Sequence, residues 1–546
     1  MTTDTDAERD ESEVDANDAA PERIGSGIDG LDEVLRGGLV NSRLYLVCGA
    51  PGTGKTLLGM HFLEAGLERG ETVLFVHGEE SREEIVTNGS RLGIDVEDAA
   101  FLDLGPESEF FTEDRSYELV DPGTVDHDRY TKDIHEAISR IDPSRVVIDP
   151  ITQLRYIEPN DHQFRKRILS LMRFLKERNA TVLTTATVSN DGAASSEEGG
   201  TEYDVEVQSL SDSVIELRRG DGGRRLRVTK HRGYGQRRGS HGMAIRDGGV
   251  EVFPALVSDR ERRGKSSVDE PGVGVEAETE TETETETGVG CDPGILQSGN
   301  PALDELLGGG LERGTVTFVS GPTGAGKTTL STQFLVEAAT EGSDAALYLF
   351  EESVETFVRR ADSVGVPIEA YRGNGTLSIE PVEPLSRSAE EFAHQVRDHV
   401  DDGIEVVLID GIDGYTMSLQ GRRERLVRKL RALTRYLTDR GVTVLITDEI
   451  RQLSGVTTAT SANLSHLADN IVFVSYLEVD GGLEKVIGVL KKRTGGFEHT
   501  MRRFEITSDG LRIGDPVPGY TGVFDGRTGG QSGPSRPVDD QGDLDE

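Results

Sequence analysis

One octet occurs twice in this chain and constrains it more than any other feature: "GAPGTGKT" at 49–56 and "GPTGAGKT" at 321–328, 272 residues apart. Both copies satisfy the spacing G-x-x-x-x-G-K-[ST] of a phosphate-binding loop. Glycines let the backbone wrap a phosphate chain, and the following helix turns its positive end toward it. The cradles expected to bind nucleotide are therefore Gly49, Ala50, Pro51, Gly52, Thr53, Gly54, Lys55 and Thr56, and Gly321, Pro322, Thr323, Gly324, Ala325, Gly326, Lys327 and Thr328. Lys55 and Lys327 would reach the β- and γ-phosphates of ATP, while Thr56 and Thr328 would bind Mg2+.

The repeat extends well beyond the octets. With an offset of 272, "SGIDGLDEVLRGGL" (26–39) falls on "SGNPALDELLGGGL" (298–311) without a gap. Further on the offset becomes 261, superposing "VVID" (146–149) on "VLID" (407–410) and "KHR" (230–232) on "KKR" (491–493). About eleven extra residues in the first copy are expected in the acidic stretch 103–128. This is tandem duplication of a domain, with too long a period for a solenoid. We assign 22–257 and 294–514 to the two domains, 258–293 to a charged Glu/Thr-rich linker, and 1–21 and 515–546 to acidic or Gly-rich tails expected to be disordered. The linker's "ETETETETET" alternates like a strand but has no apolar face to bury.

Within each copy, short apolar runs such as "LYLVC", "VLFVH" and "VVID" alternate with helical patterns, which predicts a mostly parallel sheet covered on both faces. Each copy ends in β-rich sequence with Gly-containing turns, a hairpin signal.

Three further recurrences carry chemistry. Asp149 and Asp410 end apolar strands, the place for a second carboxylate on the magnesium side, although an Asp after a strand is also a common turn residue. Glu79-Glu80 and Glu351-Glu352 follow the second strand and are candidates for the base that activates water; the alternative is a solvated acidic turn. Lys230 with Arg232, and Lys491 with Arg493, end each copy's long hairpin.

Together "GIDGLDEVLRGGL", the phosphate loop, the "EES" run, the "VVID" strand and the terminal Lys-x-Arg resemble the KaiC family of RecA-like ATPases across both halves. The resemblance implies two tandem RecA-like α/β domains that hydrolyse ATP, in stacked six-membered rings of this chain with ATP between subunits. It also implies that Lys230, Arg232, Lys491 and Arg493 reach the γ-phosphate of a neighbour. The family's autophosphorylated Ser-Thr pair falls on Ser465 and His466, so the dyad is broken; Ser465 is left as a candidate phosphosite, with Thr460 and Ser461 nearby. This ranks ATP hydrolysis above a serine/threonine autokinase.

Two other classes stay open. A recombinase-like DNA binder needs basic or aromatic loops near the ring axis, yet 189–204 holds no Lys or Arg and 451–464 a single Arg, which argues against nucleic acid. The Arg-rich segment 218–238 is the counter-observation. A nucleotide-gated scaffold recruiting signalling partners through the tails is the other alternative.

Charge places the chain in its medium. Acidic residues number 99 against 59 basic ones, of which 11 are Lys, and the formal net charge is −40. An excess spread over both halves fits an ion-rich cytoplasm such as that of a halophilic archaeon, where salt screens self-repulsion. The cysteines, Cys48 and Cys291, form neither a disulfide framework nor a metal spacing. With no signal-peptide pattern and no apolar run long enough for a bilayer, a cytoplasmic location away from membranes is expected.

Overall fold

A computed structural model describes residues 21–104, 135–153, 161–187, 205–220, 222–256, 294–450, 464–479 and 482–517. The linker, the outer parts of both tails, most of the acidic stretch and the loops 189–204 and 451–463 lie outside the described residues. The chain divides into two compact units, Met1–Ala255 and Leu256–Glu546.

Each unit is built on one nine-stranded sheet. In the first, the strand that leads into the phosphate loop, Leu44–Gly49, lies between Thr181–Thr187 and Ser213–Gly220 and is parallel to both. Beyond Thr181–Thr187 come Arg145–Asp149, Val73–His77 and Ala100–Asp103, all parallel. On the other side an antiparallel run continues through Gly223–His231, His241–Arg246 and Gly249–Phe253. The second unit repeats this order around Val316–Gly321, with Thr443–Glu449, Val406–Asp410, Ala345–Leu349 and Leu377–Pro381 on one side. Asn470–Val479, Gly482–Lys492, Arg502–Thr507 and Gly510–Pro516 lie on the other. The predicted mostly parallel sheet and terminal hairpins are thus both present.

The central strands are buried end to end, as in "LYLVCG" and "VVLID", because helices cover both faces. Separate apolar layers result. In the first unit Leu58, Phe62, Phe75 and Val147 pack on one side of the sheet, while Leu46, Leu74, Ile148 and Leu175 pack on the other. In the second unit the corresponding layers gather around Phe334 and Leu408 and around Phe318 and Ile409. Parallel strands in this order bring their carboxyl ends together, and that edge is where ligands bind in open α/β sheets.

The terminal hairpins do more than close the sheet. A Cβ placed on Gly54 would come within 2.9 Å of Ile245, and one on Gly326 within 2.5 Å of Ile506. Each hairpin therefore packs against the loop–helix junction and supports the phosphate loop from the side. Among the described residues no helix is long and apolar enough to cross a membrane.

Candidate active sites

Each octet bends between a buried strand and a helix. The helices Lys55–Leu67 and Lys327–Glu341 start at Gly54 and Gly326, whose φ values of 103° and 108° lie in the left-handed region. Only glycine adopts that conformation without strain, so the loop can curl back over the helix N-terminus. Lys55 Nζ donates to the carbonyls of Gly49 and Ala50 at 3.1 and 3.2 Å, and Lys327 Nζ donates to that of Pro322 at 3.1 Å. Both ammonium groups are held below the usual lysine range, mainly by burial and against the pull of neighbouring carboxylates. They lie across the loop where phosphate oxygens would replace the carbonyls.

The carboxylate partner is best defined in the second unit. Thr328 Oγ1 donates to Asp410 at 2.9 and 3.1 Å to its two oxygens, and Thr447 Oγ1 donates to Asp410 Oδ1 at 2.7 Å. Asp410 is buried, which pushes its carboxyl above the ordinary range despite these two donors. In the first unit Thr185 donates to Asp149 from the matching strand, and Thr56 is half-buried in the first helical turn. Among the described residues no group of three or more His, Cys, Asp or Glu side chains is arranged to hold a metal alone. A hydroxyl and one carboxylate per site nevertheless fit Mg2+, which takes few protein ligands and completes its shell with phosphate and water.

The serine of each "EES" run caps the next helix. Ser81 forms a capping box with Glu84, and Ser353 accepts from Thr356 N. Each Glu pair therefore stands in the short turn between strand and helix, at the ligand-binding edge. Burial, reinforced by Asp149, raises the Glu80 carboxyl, which Asn88 hydrogen-bonds. In the second unit Arg360 occupies the place of Asn88, pairs with Glu352 and reaches Thr329 Oγ1 at 3.3 Å. Glu351 is raised by burial and then by Asp410 and Glu449. A Cβ on Gly411, whose φ is +98°, would meet Glu351 Oε1 at 2.7 Å. Glycine after Asp410 is what lets that carboxylate come close.

These groups line one cavity of about 500 Å³ in the second unit, together with Lys327, Thr328 and Asp410. Among its lining residues that were not anticipated from sequence are Thr447, Glu449, Arg360 and Lys485. The recurrence of Thr185 and Thr447 at an offset of 262 was the available signal for the first. The others differ between the halves and left none.

Other expected site residues lie apart from this cavity. Lys230 Nζ donates to the carbonyls of Gln208 and Ser209 at 2.8 and 3.2 Å, and Lys491 Nζ to those of Ser465 and Ala468 at 2.8 and 2.6 Å. Arg493 pairs with Asp469 at 3.0 Å, and Arg232 is exposed. Ser465 is half-buried in the short turn Leu464–His466, whereas Thr460 and Ser461 lie outside the described residues. In the Arg-rich segment, Arg218 pairs with Glu216 at 2.6 Å and Arg237 with Glu33.

Two phosphate loops on matching parallel sheets, each facing a strand-end carboxylate, define a tandem P-loop protein with two RecA-like domains. The sequence model of the KaiC ATPase family matches residues 24–257 and 296–517, and the chain belongs to that family. It is 28% identical over 512 residues to the circadian clock oscillator protein KaiC of Synechococcus elongatus, covering 91% of this chain and 90% of that protein. Its identity to the circadian clock oscillator protein KaiC of Parathermosynechococcus lividus is 27% over 517 residues, 92% of this chain and 87% of that one.

Proposed function

We propose that both domains bind ATP with Mg2+ and hydrolyse it. The observation that carries this reading is the Thr328–Asp410–Thr447 hydrogen-bond set facing Lys327 and Glu351 in one cavity. Lys55 and Lys327 hold the phosphates, while Thr56 with Asp149, and Thr328 with Asp410, hold the ion. When bound, Mg2+ neutralises charge that develops on the phosphates. The Glu351 carboxylate, which burial makes a stronger base than an exposed glutamate, accepts the proton of the attacking water, and Glu79 or Glu80 does so in the first domain. Glu352 is committed to Arg360 and positions the turn.

The chain acts as a ring of copies, a hexamer by analogy with the family, in which Lys230, Arg232, Lys491 and Arg493 contact nucleotide held by a neighbour. Support for this is that all four stand at hairpin ends outside their own domain's cradle. The reading extends to regulation in the cytoplasm of a salt-rich cell, with the tails as contacts for signalling partners. A serine/threonine kinase activity at Ser465 is a second reading, favoured only by the half-buried turn that Lys491 braces.

The test is Mg2+-dependent ATPase on the purified chain at high potassium chloride. Lys55→Ala and Lys327→Ala should each remove one site's share and together abolish turnover. Full activity in the double variant would refute hydrolysis, and mass spectrometry of the same reaction reads phosphate on Ser465.

A further inference from the structure

The two cradles differ at one matched pair of positions. In the sheet registers Gly49 lies beside Thr187 and Gly321 beside Glu449, so Glu449 stands where the first domain has threonine. Two residues into the loop, Thr323 stands where the first domain has Pro51. These two second-domain residues meet: Thr323 Oγ1 donates to Glu449 Oε1 at 2.8 Å. The first loop closes instead on itself, Thr53 Oγ1 donating to the carbonyl of Ala50 at 2.8 Å. Glu449 thus puts a carboxylate at the mouth of the second cavity, alongside Glu351 and Asp410, and Thr323 ties it to the phosphate loop. Of the neighbouring charges, Glu449 acts most strongly on Lys327, the cation meant for phosphate. Arg360 does not offset it, because that guanidinium is engaged with Glu352.

We propose that Glu449, tethered by Thr323, is an anionic latch that competes with nucleotide phosphate for the second cradle and weakens nucleotide binding there relative to the first. The latch rests on the nucleotide reading above. Phosphate entering the loop meets a fixed like charge that already acts on Lys327, so binding must displace that carboxylate or tolerate it. The first domain presents neutral Thr187 and Pro51 at the same two places and lacks the device.

The test is equilibrium binding of a fluorescent ADP analogue to the full chain carrying Lys55→Ala, which isolates the second site. Glu449→Gln keeps the shape and removes the charge, and should tighten binding about tenfold, the scale of one partly screened like charge. Thr323→Val, which frees the carboxylate to swing outward, should tighten it less than Glu449→Gln does. In a Lys327→Ala background, the pair Pro51→Thr and Thr187→Glu should weaken the first site by a similar factor. Unchanged or weaker binding in Glu449→Gln, with unaltered circular dichroism, overturns the latch alone. Failure of every variant and of the parent chain to bind the analogue overturns the nucleotide reading, and the latch with it.

Discussion

Thr447 is the residue whose removal should separate the two domains most clearly. Its hydroxyl donates to buried Asp410 and accepts the N–H of Gly411 at 2.7 Å. Thr447→Val keeps the shape and deletes both bonds. Losing a hydrogen bond to a charged group costs about 1.5–3 kcal/mol, and the orphaned N–H adds about 1–2 kcal/mol, so about 3–4 kcal/mol is expected. Thr185 plays the same part toward Asp149, but the next residue there is Pro150, which has no N–H to satisfy. Thr185→Val should therefore cost only the carboxylate bond, about 2 kcal/mol. For domains of this size each kcal/mol moves the melting temperature by about 2–4 °C, so the two transitions should fall by about 6–16 °C and about 4–8 °C. Differential scanning calorimetry of the nucleotide-free chain, with each transition assigned by its own variant, is the assay. A larger fall for Thr185→Val than for Thr447→Val, or a fall of less than about 2 °C for Thr447→Val, would refute the accounting.

Two other outcomes follow from the same geometry. Burial raises the Asp410 carboxyl, so its favourable contribution is present below the ordinary aspartate range and lost as pH rises through the folded value. Above the folded value the ionised, buried group costs stability, and Asp410→Asn should raise the second domain's melting temperature by a few degrees while ending its turnover; a lower melting temperature would contradict the burial argument. For Glu351, which must be ionised to accept a proton, second-site hydrolysis measured in Lys55→Ala should fall on acidification with a midpoint above the ordinary glutamate value. Glu449→Gln removes one of the charges that raise it and should move that limb to lower pH, whereas an unmoved limb would exclude Glu351 as the titrating base.

Much of the fold was legible because its signals are local. Strand runs such as "LYLVC", the Gly-Lys-Thr octets and the serine caps of "EES" each act within a few residues, and duplication displayed each one twice. Gly54 and Gly326 could be read as loop glycines, but their second duty, leaving room for Ile245 and Ile506, could not. Asp410 was expected beside magnesium; that Thr447 would hold it, and that Gly411 would admit Glu351, depended on strands distant in sequence lying side by side.

The sequence alone determined that two phosphate loops exist and that each has a carboxylate strand end and a Glu pair, because backbone curvature and spacing are properties of short segments. Tertiary structure alone decided that the two cradles are unequal. Arg360 in place of Asn88 and Glu449 in place of Thr187 look like ordinary surface variation until parallel pairing brings their carboxyl-end neighbours to one edge. There, electrostatic interaction depends on distance through space rather than along the chain.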